Sequence, residues 1–464
     1  MPPVTLEPGS FRDKSSRVFY EGEKVYRALS RQALAHWNLL QKTSFYPAFS
    51  RQGKIVPTHQ VSLEVLPESM RDSWEAVLQH EPIPFLSYPY EWSFGMLQDA
   101  ALLQLELLMS ALQEDMILKD ASSFNIQWNG IRPVFIDLPS FIAWTPGHPW
   151  SGYRQFCELF LIPLLLQAYR DIPFQPWLRG SLDGISPEVG SRLLGRDFYK
   201  AGVLMDVLLH ARFERRYART TRHIKKDLLK AGFNKNMIRA NLERLSKIIS
   251  RLTWNTARSH WTDYPNTHSY SSGEEAAKRQ FIERVLQEKR RHLIWDLGCN
   301  MGDFSRLAAK QADYVVAMDS DAQVIEVLYQ KLKAEKADRV LPLVANVADF
   351  SSGLGWLGQE RKALVDRGRP DLILCLALVH HVAIRSNIPL EEWVRWLSRF
   401  RSELVIEFVT PQDPMVEQLL RNKDENHEDY TTAQFESVLS RYFIVHQREA
   451  IGSGRRILYA CEAK

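Results

Sequence analysis

The second half of this sequence alternates short apolar runs with amphipathic stretches, and no other feature limits the possible folds as strongly. From about residue 286 onward the apolar runs are 292–297, 314–318, 340–344, 372–376 and 404–408. Buried strands that alternate with helices form a parallel sheet with helices packed on its faces. Two later runs, 443–446 and 456–459, predict an antiparallel pair at one edge. The sequence therefore predicts an α/β domain here.

Length and composition are those of a folded protein with several domains. The chain has 464 residues, of which 45% are hydrophobic and 25% are charged, and this balance excludes wholesale disorder or a fibrous repeat. No apolar run is long enough to predict a membrane span, and the N-terminus lacks the pattern of a signal peptide. Cys157, Cys299, Cys375 and Cys461 lie too far apart to indicate a disulfide framework or a metal site. We expect a cytoplasmic protein without a bound metal.

Positive charge is concentrated in one central segment. Residues 212–251 contain thirteen basic and three acidic residues, a net charge of +10, although the whole chain carries only +4. Such a segment could attract nucleic acid, a phosphorylated substrate or an acidic partner. We favour a packed helical hairpin with a solvated basic face, because the leucines and isoleucines recur at helical spacing and no nucleic-acid-reading motif accompanies the charge. We therefore divide the chain into 1–210, a basic helical connector at 211–285, and 286–464.

The first apolar run of the last domain ends in a turn built for a ligand. Within residues 294–305, Asp296 ends the run, Gly298 and Gly302 follow, and an amphipathic helix begins near Asp303. Glycines allow a ligand to approach the backbone, and a helix that begins here offers free N–H groups. The spacing is not the dinucleotide fingerprint, because Asn300 and Asp303 replace its second and third glycines.

The next two runs also end in polar side chains. Asp319 ends the second run, about 20 residues after the turn, where an acid can accept hydrogen bonds from both ribose hydroxyls of a nucleoside. Asn346 follows the third run, where its amide can meet an adenine edge.

Together these residues resemble class I S-adenosylmethionine-dependent methyltransferases over about 286–464. The resemblance implies a Rossmann-like seven-stranded sheet with S-adenosylmethionine as cofactor. It implies that Asp319 binds the ribose, that Asn346 sits by the adenine amine and that Leu376 lines the pocket floor. The amino-acid part of the cofactor would be wrapped by Asp296, Gly298, Asn300 and Gly302. Asn300 is a departure, since a third glycine is common there, and another nucleotide-binding α/β domain is the alternative.

Three residues near the ends of the later strands are candidates for the chemistry. His380 and His381 follow the fourth run, where a histidine can take a proton from a hydroxyl or amine nucleophile. A packing or capping role is the alternative for each. Glu407, in the fifth run, is the second choice for orienting or deprotonating a substrate.

The N-terminal part carries a second pattern. Asp120 and Asn125 have the spacing D-x-x-x-x-N, and Asp137 ends a later apolar run. This arrangement resembles the catalytic loop of protein-kinase-like and aminoglycoside-phosphotransferase-like folds, which implies an α+β domain with a base at Asp120 and Mg²⁺ held by Asn125 and Asp137. Lys119 replaces the usual arginine or glycine, and no glycine-rich loop precedes the motif, so a non-catalytic kinase-like domain is favoured. An active nucleotide site and an unrelated α+β domain are the alternatives.

Most of the chain resembles one group of two-part bacterial methyltransferases. The segments 87–94 and 150–157, together with the C-terminal run, are similar to rhizobial nodulation methyltransferase-like proteins. This resemblance implies architecture more than chemistry. We expect methyl transfer to an oxygen or nitrogen of a substrate that the sequence does not identify, and we favour a small molecule or glycoconjugate. Two alternatives remain open: a small-molecule phosphotransferase that uses the N-terminal site, and a nucleic-acid-binding methyltransferase that uses the connector. The oligomeric state cannot be inferred.

Overall fold

The computed structural model describes residues 4–195, 234–254, 272–421, 427–452 and 454–464. The chain divides into two compact units. The N-terminal unit comprises Met1–Asn255 together with Gly353–Arg361, and the C-terminal unit comprises Thr256–Ser352 together with Lys362–Lys464. None of the described helices is long and apolar enough to cross a membrane.

The N-terminal unit begins with an antiparallel sheet. Its strands are β1 (Val4–Leu6), β2 (Ser16–Glu21), β3 (Lys24–Leu29), β4 (Thr58–Val61) and β5 (Ala76–His80). Among the described residues their order is β1-β2-β3-β5-β4. Phe19, Tyr26 and Val77 form a small core on one face, because side chains two residues apart along a strand share a face.

Helices and two short strand pairs complete the described part of this unit. β6 (Met116–Leu118) pairs with β9 (Phe141–Ala143), and β7 (Ile126–Asn129) pairs with β8 (Arg132–Phe135). The helices are α1 (Arg31–Leu40), α2 (Phe45–Arg51), α3 (Glu68–Arg71), α4 (Phe94–Gln113), α5 (Tyr153–Phe156), α6 (Ile162–Arg170), α7 (Gln175–Gly180), α8 (Pro187–Leu194) and α9 (Lys235–Ser250). This mixture is the α+β composition that the sequence predicts for the first part of the chain.

The described residues of the predicted connector fall in both compact units. α9 packs against α4 in the N-terminal unit, because Ile238, Leu242, Leu245 and Ile249 form a buried stripe along it. Residues 272–288 belong to the C-terminal unit. Residues 211–233, which carry eight of the thirteen basic residues of the segment 212–251, lie outside the described residues, as do residues 255–271.

The C-terminal unit is built on a mixed sheet. Its strands are β10 (Arg291–Leu297), β11 (Ala312–Asp319), β12 (Val340–Val344), β13 (Leu372–Cys375), β14 (Glu403–Val409), β15 (Phe443–Ile451) and β16 (Arg456–Ala463). Its helices are α10 (Ser272–Glu288), α11 (Asp303–Ala308), α12 (Ala322–Glu335), α13 (Leu390–Ser398), α14 (Pro414–Arg421) and α15 (Thr432–Tyr442). Each apolar run of the sequence coincides with one of these strands.

The order of the strands in this sheet indicates where a ligand would bind. In the described residues the order is β12-β11-β10-β13-β14-β16-β15, with β10 to β14 parallel and the last two strands antiparallel. The chain moves outward in one direction from β10 to β12, and then returns to continue from β13 on the other side. Ligands bind at the carboxyl ends of strands where the direction reverses in this way, which here means the loops that follow β10 and β13.

Candidate active site

The loop after β10 contains left-handed backbone at alternate residues. Gly298, Asn300 and Gly302 have φ values of 71°, 47° and 74°. Asparagine is among the few side chains that tolerate this region, because its short amide can bond locally. Its Oδ1 accepts from the backbone N–H of Met301 at 2.6 Å. Asn300 can therefore take the conformation that a glycine commonly supplies at this position.

The two glycines are also limited by their neighbours. A Cβ atom on Gly302 would lie 2.5 Å from Leu328 Cδ1, and one on Gly298 would lie 3.1 Å from Leu378 Cδ1. Leu328 belongs to α12, whereas Leu378 lies in the loop after β13. The turn is therefore packed against a helix on one side and faces the loop after β13 on the other.

Asp296 is buried beneath this turn. Its side chain is almost inaccessible to solvent, and Ser305 donates its hydroxyl to Oδ2 at 2.5 Å. Burial raises the pKa of Asp296 to about 6, an effect that the Ser305 hydrogen bond and the positive charge of Lys278 oppose. A carboxylate in this position can bind a buried ammonium group.

Asp319 ends β11 and is anchored by the backbone. Its Oδ2 accepts from the N–H of Asn300 at 2.9 Å, and its Oδ1 accepts from the N–H of Asp321 at 3.0 Å. Burial raises the pKa of Asp319, although these backbone hydrogen bonds act in the opposite direction. Each carboxylate oxygen has a further lone pair, so a fixed carboxylate here can accept from two adjacent hydroxyls.

The structure also places the two remaining predicted cofactor residues beside strand ends. Asn346 follows β12 and is exposed, and its Oδ1 accepts from the N–H of Ala348 at 3.0 Å. Leu376 directly follows β13 and is buried. The next residue, Ala377, has a positive φ of 50°, which costs about 1 kcal/mol for a residue other than glycine.

His380 and His381 lie in contact just beyond that loop. Their ring centroids are 4.2 Å apart. His380 is completely buried, whereas His381 is partly exposed. Burial lowers the pKa of His381 to about 4 and that of His380 well below its ordinary value. Both imidazoles are therefore neutral near pH 7, which is the form that can accept a proton.

Glu407, the second choice for orienting or deprotonating a substrate, lies in a buried cluster of ion pairs. It lies within β14 and is fully buried, with Oε2 2.7 Å from Lys278 Nζ and Oε1 3.3 Å from Arg456 Nη1. Arg456 also binds Asp413, at 2.9 Å. Cations therefore engage both oxygens of Glu407, and its role in substrate orientation or deprotonation stays a prediction.

Sequence reasoning missed Lys278, although a signal was present. Lys278 lies on α10, within a stretch rich in charged residues, and it forms a buried ion pair with Glu407. Phe281, Ile282 and Val285, three, four and seven residues further on, are all buried. Helical spacing therefore places this lysine on the apolar face of α10.

Two residues of the N-terminal motif, Asn125 and Asp137, lie close together in the structure. Asn125 Nδ2 lies 3.4 Å from Asp137 Oδ2, and Arg27 Nη1 lies 2.8 Å from Asp137 Oδ1. Burial raises the pKa of Asp120 to about 6, and the nearby charge of Asp137 adds to the effect.

These residues do not fit a magnesium ion well. The guanidinium group of Arg27, on β3, already neutralises the acid that would hold the metal. Within the described ranges, no group of three or more His, Cys, Asp or Glu side chains could hold a metal ion. Arg27 is a second residue that the pattern alone did not select.

Almost the whole chain is similar in sequence to one known protein. It is 31% identical over 457 residues to the nodulation protein NoeA of Rhizobium meliloti strain 1021, covering 98% of this chain and 95% of that protein. This relationship agrees with the predicted resemblance to rhizobial nodulation proteins. No protein-family model matches the chain.

Two solved structures resemble part of the chain. One is the N-methyltransferase NodS of Bradyrhizobium japonicum WM9 in complex with S-adenosylhomocysteine, with 12% identity and a TM-score of 0.33 over 45% of this chain and 94% of that one. The other is magnesium protoporphyrin IX methyltransferase of Synechocystis PCC 6803 with bound S-adenosylhomocysteine, with 16% identity and a TM-score of 0.30 over 44% of this chain and 93% of that one.

Proposed function

The chain belongs to the family of the nodulation protein NoeA, and from this premise we propose that it is an S-adenosylmethionine-dependent methyltransferase. One observation carries the proposal: an acid, a turn of left-handed residues and a second acid meet at the point where the strand order reverses. Asp296 is the second-last residue of β10, Gly298 to Gly302 form the turn, and Asp319 ends β11. Nucleoside ligands bind at such points in α/β sheets.

The chain's own residues suit the separate parts of the cofactor. Asp296 would bind the ammonium group of its amino-acid part. The left-handed turn at Gly298, Asn300 and Gly302 would let the ligand approach the backbone closely. Asp319 accepts hydrogen bonds from the ribose hydroxyls. Asn346 lies at the adenine edge. Leu376, which is buried, forms the apolar floor.

Methyl transfer then needs mainly alignment. The cofactor supplies a methyl group on a positively charged sulfur. When bound, it would pass that methyl group to an oxygen or nitrogen of the acceptor, whose lone pair would form the new bond while the electron pair of the broken carbon–sulfur bond would remain on sulfur. In-line positioning of the two reactants contributes most of the rate.

His381 is the better of the two candidate bases. It is partly exposed, whereas His380, in contact with it, is completely buried, and a base must reach the proton that it removes. We assign the acceptor's proton to the imidazole of His381. We assign His380 to packing against it, the alternative role that the sequence left open.

The acceptor is proposed to be a small molecule or glycoconjugate. The phosphotransferase alternative is not carried forward, because Arg27 neutralises Asp137 in the N-terminal unit. The nucleic-acid alternative rests mainly on residues outside the described part of the chain. All four cysteines are free thiols, which favours a reducing compartment such as the cytoplasm.

Calorimetric titration with S-adenosylhomocysteine tests the proposal. We expect the wild type to bind one molecule per chain, and Asp319→Ala to bind about 100-fold more weakly, because two charge-assisted hydrogen bonds to the ribose are lost.

Asp313→Ala is the matched control. Asp313 lies on the same strand, but it is exposed and pairs with Arg290, so this variant should bind like the wild type. Absence of binding by the wild type would overturn the proposed function.

A further inference from the structure

Lys278 is buried beside the candidate cofactor site. Its side chain is only 7% exposed, and its ammonium nitrogen lies 2.7 Å from Glu407. The same nitrogen lies 5.1 Å from the ring centroid of Phe304, at the beginning of α11. A lysine is buried only when its charge is compensated, and here a carboxylate and an aromatic face compensate it.

The elements that surround Lys278 also hold Asp296. Asp296 lies at the carboxyl end of β10, one residue before its last, and its partner Ser305 lies next to Phe304 on α11. Lys278 therefore lies over the ring of the residue next to Ser305, and its positive charge acts to lower the pKa of Asp296. The titratable groups around Asp296 are Lys278 from α10, Asp319 from β11, Cys299 from the turn and Cys375 from β13.

The two carboxylates near Lys278 differ in what else engages them. Glu407 is also bound by Arg456, which lies 3.3 Å away. Asp296 is bound by the uncharged hydroxyl of Ser305. Of the four titratable groups just named, all in the described part of the chain, Lys278 carries a positive charge, whereas Asp319 carries charge of the same sign as Asp296 itself.

We propose that Lys278 is a positioning residue of the cofactor site: its ammonium group, clamped between Glu407 and Phe304, keeps Asp296 in the carboxylate form that binds the cofactor's ammonium group. The inference rests on the proposed function. It adds a residue to the site from a helix that contains none of the predicted cofactor residues.

The affinity for S-adenosylhomocysteine as a function of pH tests this role. In the wild type we expect the affinity to fall as pH drops through about 6, where Asp296 takes up a proton. In Lys278→Met we expect the midpoint of this pH dependence, the pH at which half of the affinity is lost, to move to a higher pH. A displacement of about one pH unit makes the variant bind about fivefold more weakly than the wild type at pH 6, with affinities within about twofold at pH 9.

Two further variants separate this role from a structural one. Lys278→Arg keeps the charge and should restore the wild-type midpoint. Lys278→Met combined with Glu407→Gln removes both charges of the buried pair, so it should fold even if the single variant does not, and it should retain the displaced midpoint. Arg279→Met is the matched control, because Arg279 is the neighbouring exposed cation on the same helix, and it should leave the profile unchanged.

The outcomes distinguish the two proposals. If the wild type binds S-adenosylhomocysteine and the double variant keeps the wild-type midpoint, the role of Lys278 is overturned while the proposed function stands. If the wild type fails to bind at any pH, the proposed function fails, and with it the ground for assigning Lys278. A displaced midpoint that Lys278→Arg restores supports both.

Discussion

Asp296 illustrates how a single residue can reduce stability while preparing a binding site. Burial raises the pKa of its carboxyl from an ordinary 3.8 to about 6. Between these two pH values the unfolded chain releases the proton while the folded chain retains it. Stability without ligand therefore falls as pH rises from about 4 to about 6, by roughly 3 kcal/mol in total, and stays lower above that range.

Asp296→Asn should therefore make the protein more stable and less able to bind. The amide cannot ionise but can still accept from Ser305. Above pH 6 we expect the variant to gain up to roughly 3 kcal/mol of unfolding free energy, and to lose most of its affinity for S-adenosylhomocysteine because the ammonium group loses its counter-ion.

Denaturant unfolding at pH 4 and pH 8, with calorimetry at pH 8, measures both effects. The two proteins should differ little at pH 4, where the wild-type carboxyl is protonated. Equal destabilisation of the variant at both pH values would show that the substitution disturbs packing, and would contradict the electrostatic explanation.

The site residues themselves could be predicted from the sequence more readily than their distant partners. The acids and glycines of the turn were predictable because their chemistry depends on neighbours in the sequence. The partners of Glu407 were not, since Lys278 and Arg456 lie 129 and 49 positions away along the chain. The pairing of Arg27 with Asp137 spans 110 positions and was missed for the same reason.

At the scale of one element, the turn after β10 is held by both conformation and packing. Gly302 has a φ of 74°, and a Cβ atom there would meet two carbons of Leu328, at 2.5 and 2.8 Å. Gly454 has a nearly equal φ of 79°, and a Cβ atom there would have nothing within 4 Å. A side chain would strain the backbone at both positions, but it would be crowded by neighbouring atoms only at Gly302.

Gly302→Ala should cost more than Gly454→Ala. The second variant pays only for left-handed backbone, about 1 kcal/mol. The first also forces Leu328 to move, which adds about 1–3 kcal/mol. Denaturant unfolding of both variants measures the difference, and calorimetry should show weaker binding of S-adenosylhomocysteine by Gly302→Ala alone. Equal unfolding costs would mean that Leu328 moves aside freely.

Strands were predicted unequally well because burial gives the strongest signal. β10 to β14 are buried on most of their length and appear in the sequence as continuous apolar runs. β15 extends to Ile451, but most of its residues are at least partly exposed. The apolar pattern revealed only its beginning, since polar residues at an exposed edge carry no period that marks a strand.

At the scale of the whole molecule, two candidate ligand sites lie on one chain, and their charges differ. In the C-terminal unit, Asp319 accepts hydrogen bonds from the backbone N–H groups of Asn300 and Asp321, and these uncharged donors leave its negative charge for a ligand. In the N-terminal unit, the charge of Asp137 is neutralised by Arg27 at 2.8 Å, with 11% and 17% of the two side chains exposed. An acid that is already paired has little left for a metal ion.

The whole chain should therefore bind one adenosyl ligand and no Mg-ATP. Breaking the Arg27 pair to admit magnesium would leave a largely buried guanidinium group without its carboxylate, which costs several kcal/mol. Calorimetry of the wild type should give heat with S-adenosylhomocysteine and none with Mg-ATP. If Mg-ATP does bind and Asp137→Asn abolishes that binding, the N-terminal unit holds an active nucleotide site and the ion pair opens on binding. Arg31→Met is the control, since Arg31 makes an exposed pair with Glu75 in the same unit, and it should change neither result.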